Sequence, residues 1–125
     1  MDDVKNSYDL TFEERDGYLF ARVQAESVDQ AIAMDYLRKV AARCDQLEAT
    51  HLMLYRDIPT MLPDGILFFV TTEFLKMIRG VRAAFVNPYL SNTDSMDFAI
   101  TVGKNRGADY HAFNNTADAE HWLLK

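Results

Sequence analysis

Cysteine is almost missing from this chain, with Cys44 standing alone. One thiol cannot close an internal disulfide or build a cysteine-based metal site, so a reducing, cytoplasmic setting is expected. Positive charge is also short: 13 Lys and Arg face 19 Asp and Glu, for a net charge of −6. That balance repels phosphate backbones and anionic lipid surfaces and argues against nucleic-acid binding. Long apolar runs are absent too. The longest, "GILFFV" from Gly65 to Val70, falls far below the ~20 residues that a membrane span needs. The opening "MDDVKNSYDL" has neither a basic start nor an apolar stretch, so no signal peptide is expected. No Gly-x-Ser-x-Gly, phosphate-binding glycine loop or paired-acid motif occurs. The histidines His51, His111 and His121 lack the i, i+4 spacing of a helical metal site, and no cofactor or metal is expected.

What is present reads as one domain spanning residues 1–125, with 49% apolar residues to build a core. "YDLTFEERDGYLFARVQA" alternates apolar and polar residues around Asp16-Gly17, predicting a hairpin whose two turn residues both take positive φ. Ser27 to Gln30 reads as a capping box. Behind it, Ile32, Ala33, Tyr36, Leu37, Val40 and Cys44 follow at helical spacing. On that stripe Cys44 reads as a small core residue rather than a nucleophile. "HLMLY" and "VRAAFV" are near-continuous apolar runs, as parallel strands covered on both faces require. Between them "GILFFVTTEFLKMIRG" predicts a helix stopped by Gly80 at its C′ position. "SMDFAITVGKNRG" reads as a shorter helix with Ala99, Ile100 and Gly103 inward, and "ADYHAF" as the last strand. A final helix is capped by Thr116. The expected fold is α/β in the order β-β-α-β-α-β-α-β-α. It is a five-stranded, mostly parallel mixed sheet with helices on both faces.

This order, together with the strand-loop-helix "HLMLYRDIPTMLPDG" and the closing "TADAEHWLL", resembles the STAS domain. Nearest is the SpoIIAA-like branch of small stand-alone bacterial proteins related to anti-sigma-factor antagonists. The resemblance runs from Tyr8 to Leu124. In regulatory STAS domains a kinase phosphorylates a Ser or Thr just before a Gly at the start of the helix after the third strand, and the added charge disrupts partner docking. The matching residues here are Asp64 and Gly65. A carboxylate is no substrate for a serine kinase, so the chain departs from the switch, and Thr60 is at most a displaced substitute.

Asp64 is read first as an N-cap and only second as a phosphate mimic. The carboxyl edge of the sheet is the expected interaction or ligand face. It gathers Arg56, Asp57 and Thr60 with Asn87, Tyr89, Asn92, Thr93 and Asn114. Any single member also has an ordinary reason to sit in a turn. Ile66 or Phe69 is expected to point outward as a protein-contact patch. The resulting expectation is a non-catalytic STAS-like regulatory module binding a protein partner or a second copy of itself. The alternative is a carrier or sensor with an apolar or lipid-like ligand between the sheet and the second helix. An enzyme ranks last.

Overall fold

The computed structural model describes residues 7–89, 92, 94, 97, 101 and 109–125. Alternation in the first strongly patterned segment becomes two strands, β1 (Asp9–Arg15) and β2 (Tyr18–Gln24). They pair antiparallel from Asp9↔Gln24 to Arg15↔Tyr18. Only Gly17 in the connecting turn has positive φ, at 91°. This is the sign pattern of a type II turn, so the expectation of positive φ at Asp16 was wrong.

Three further strands, β3 (His51–Asp57), β4 (Arg82–Val86) and β5 (Tyr110–Phe113), continue the sheet. The spatial order is β1-β2-β3-β4-β5, with β2/β3, β3/β4 and β4/β5 all parallel. The helices α1 (Gln30–Gln46) and α2 (Asp64–Met77) are the crossovers from β2 to β3 and from β3 to β4. Neighbouring strands joined in the same right-handed sense place these helices on one face. Leu19, Ala21, Val23, Leu52, Leu54 and Ala83 accordingly share one core with Ala33, Leu37, Val40, Leu67, Val70 and Phe74. Cys44 belongs to that core, and burial pushes its thiol up to about 11.

A last helix, α3 (Thr116–Leu123), crosses to the opposite face. There Ala119 and Leu123 pack on Tyr18, Met53, Ala84 and Val86, with Trp122 partly buried beside them. Of the short helix expected from "SMDFAITVGKNRG", Asp97 and Thr101 are helical, with the Thr101 hydroxyl donating to the Asp97 carbonyl at 3.1 Å; Ala99, Ile100 and Gly103 lie outside the described residues. No helix among the described residues is long and apolar enough to cross a membrane.

The helix ends correct several sequence expectations. The N-cap of α1 is Asp29, whose carboxylate accepts from the Ile32 amide at 2.9 Å. Asp caps as well as Ser does, and this start places Val28 at N′ and Ala33 at N4, both against the core. Asn115, not Thr116, caps α3, accepting from the Asp118 amide at 2.8 Å. Gly80 sits two residues beyond the C-cap Ile78. It has φ 83° in a turn closed by the Val81 amide donating to the Ile78 carbonyl at 3.0 Å.

Candidate functional site

The parallel strands β2 to β5 end on a common edge, where the loops after β3, β4 and β5 begin. In open α/β sheets this edge is the usual binding crevice. Arg56 and Asp57, adjacent in sequence, do not act together there, because successive strand residues point to opposite faces. Arg56 follows Leu52 and Leu54 onto the face covered by α1 and α2 and is only 8% exposed. Its Nη1 donates to the Ile58 carbonyl at 3.0 Å and its Nη2 to the Thr60 carbonyl at 2.7 Å. The guanidinium thereby folds the loop over the strand end, with Ile58 and Leu62 buried beneath. The Thr60 side chain stays exposed. Among the described residues no carboxylate forms an ion pair with Arg56.

Asp57 serves the other face. It accepts from Arg22 Nη2 at 2.7 Å and from the Tyr89 hydroxyl at 2.6 Å. Donation to this carboxylate holds the Tyr89 phenol above its ordinary pKa. Arg22 also reaches Gln24 at 3.3 Å and lies 5.9 Å from the Tyr55 ring centroid. Beyond it, Arg15 sits 3.9 Å over the ring of Phe20.

Three asparagines fasten the loops. Asn87 is fully buried. Its amide donates to the Phe113 carbonyl at 2.9 Å, and its carbonyl accepts from Asn114 Nδ2 at 3.1 Å. Its side-chain oxygen takes the Tyr89 amide at 3.0 Å. Asn92 Nδ2 donates to the Pro59 carbonyl at 3.4 Å. These side chains pin the edge together, as the turn reading of Asn and Asp anticipates. Thr93 lies outside the described residues.

At the start of α2 the cap is Pro63, without a side-chain cap hydrogen bond, and Asp64 is already the first helical residue. The expected N-cap role of Asp64 is therefore wrong. The fixed φ of Pro63 suits entry to the helix, and the Asp64 carboxylate acts through the helix dipole alone. Asp64 and Gly65 are exposed, and Ile66 is partly buried against the core. Of the two expected outward residues, Phe69 is the exposed one at 44%, and the neighbouring Phe68 is 40% exposed.

Beneath α2, a cavity of about 80 Å³ lies between α1, α2 and the sheet, with Ala33, Leu37, Leu54, Leu67, Phe74 and Arg56 among its walls. The histidines do not converge. His51 Nδ1 lies 2.9 Å from the Thr50 hydroxyl, His111 meets Phe113 edge-on and Trp122 at a tilt, and His121 is exposed on α3. Among the described residues no group of three or more His, Cys, Asp or Glu side chains is placed to hold a metal.

No protein-family model matches the chain, and no curated protein matches it. The residue that sequence reasoning missed is Arg22, the real partner of Asp57. Alternation along β2 places Tyr18, Phe20 and Arg22 on one face, which was readable. That Arg22 stands opposite Tyr55 depends on the β2/β3 register, which was not.

Proposed function

We propose that this protein is a non-catalytic regulatory module of the STAS type, docking a protein partner or a second copy of itself through the first turns of α2. The observation that carries the reading is the exposure of Phe69, at 44%, on the same helix end as the exposed Asp64 and Gly65. With the neighbouring Phe68 at 40% it puts two adjacent aromatic side chains in water beside a polar loop, and contiguous exposed apolar surface marks contact sites. Phe69 lies five residues along α2 from Asp64, the residue that the resemblance matches to the switch position of STAS regulators. The antiparallel first pair, the parallel strands that follow and the helix entered from the β3 loop are consistent with that family's order. With a carboxylate at position 64, the charge is permanent and no kinase sets it. The reading involves no cofactor and no metal.

A photo-crosslinking side chain at Phe69, with a control at the exposed Thr11 on β1, tests this in cells that make the protein. One discrete adduct from position 69 and none from position 11 is the expected result, with loss of the adduct in Asp64→Lys. Light scattering of the purified chain then separates self-association from a foreign partner. Equal adducts from both positions, or none from either, would remove the docking role.

A further inference from the structure

We infer that Arg56 marks an internal binding site for a small carboxylate with a compact apolar body, seated in the cavity between α1, α2 and the sheet. This stands independently of the docking reading, because the site lies between α2 and the sheet whereas docking uses the outer surface of α2.

Arg56 occupies an inward position on a central strand, in line with Leu52 and Leu54, and is 8% exposed. A guanidinium keeps its charge at any physiological pH, and a charge so buried calls for a counter-charge. The Ile58 and Thr60 carbonyls take one N–H each. Two of the five guanidinium N–H groups are thus used, both on neutral carbonyls, and no carboxylate among the described residues pairs with the charge. The two carbonyls account for a loop clamp but not for the charge. A neutral amide side chain makes the same kind of bond without burying a cation.

The cavity gives the charge a purpose. Among the described residues that line it, Arg56 alone is charged, and most of the remaining walls are aliphatic or aromatic. An apolar void by itself stays dry. One with an arginine among its walls suits a ligand whose carboxylate pairs with the guanidinium and whose apolar part fills the rest. Inorganic anions lack that apolar part. The volume sets the size. Beside the apolar cavity of about 150 Å³ that takes benzene, a cavity of about 80 Å³ suits a smaller apolar body, that of a short-chain monocarboxylate.

Thermal melts of the full chain with sodium butyrate, butyramide or sodium chloride at matched ionic strength test the site. Butyrate should raise Tm by several degrees at saturation, and butyramide by no more than chloride. Ala33→Leu extends a side chain from α1 into the cavity while keeping a good helix former. It should remain folded and weaken the butyrate response at least tenfold. Arg56→Gln, which retains a donor for the loop, should lose the preference for acid over amide. Equal shifts from butyrate and butyramide would overturn the proposal, as would no shift from any of propionate, butyrate and valerate. A wild-type response in Ala33→Leu would place binding elsewhere and would also overturn it. If Arg56→Gln fails to fold, the wild-type comparison of acid against amide decides alone.

Discussion

Asp64 stands one residue inside α2, and that shift of one changes what its carboxylate does. At a cap it would satisfy an orphan amide; at the first helical position it only meets the positive end of the dipole. Asp64→Ser and Asp64→Ala should therefore lose the same stability, about 0.3–1 kcal/mol, in parallel urea melts. A serine variant clearly more stable than the alanine one would put the cap back at position 64. The same sensitivity to one position separates Arg56 from Asp57. One residue along a strand is half a pleat repeat. It sends the guanidinium into the core and the carboxylate to Arg22 and Tyr89 on the far face.

Among the elements, α1 shows a helix end built without the residue that best suits it. Glu48 follows the C-cap Leu47 with φ 51°, the left-handed conformation. Its amide donates to the Asp45 carbonyl at 3.2 Å, and the Ala49 amide to the Cys44 carbonyl at 2.9 Å. These two bonds form a Schellman motif, in which glycine is usual because a Cβ is disfavoured there. Glu48→Gly relieves that strain and gives back part of the gain as unfolded-chain entropy. The expected net stabilisation is about 0.5–1 kcal/mol. Chemical denaturation would read it as a higher midpoint at unchanged slope. A lower midpoint would mean that the Glu48 side chain contributes more than its backbone costs.

At the scale of the molecule, Tyr8, Tyr18 and Tyr89 tie separate elements together by donating to carboxylates. Tyr8, just before β1, donates to Asp35 on α1. Tyr18 on β2 donates to Glu120 on α3 at 2.7 Å, and Tyr89 to Asp57 at the sheet edge at 2.6 Å. Burial chiefly raises the pKa of Tyr8 and Tyr18, and the bond to Asp57 chiefly raises that of Tyr89. A phenol whose folded pKa lies above its unfolded value stabilises fully below the unfolded value and stops doing so as pH rises through the folded one. The tyrosine contribution should thus hold up to the ordinary tyrosine value of 10.0 and fall above it, adding to the fall that the buried Cys44 thiol begins from its ordinary value of 9.0. Melts across the alkaline range, followed beside tyrosinate absorbance, check this. The variant carrying Tyr8→Phe and Tyr18→Phe should flatten the fall, and an equally steep loss in it would assign the effect to other groups.

Much of this architecture is legible in local pattern alone. Alternation around Asp16-Gly17, the apolar spacing from Ile32 to Cys44 and the apolar runs at 51–55 and 81–86 each report a period that one segment carries by itself. Those segments became β1, β2, α1, β3 and β4. Cap identity was less legible, because Ser27 and Asp29 are both competent caps, as are Asn115 and Thr116. Only the packing of Val28 and the following turn selects between the first pair. The site was the least legible part. The Arg22–Asp57 pair joins residues 35 apart through strand register, and the cavity beside Arg56 exists only once α1, α2 and three strands enclose it. Sequence determines periods, because these follow from backbone geometry within a few residues. Tertiary structure decides register, side-chain partners and voids, because each sums many weak contacts between segments far apart in the chain.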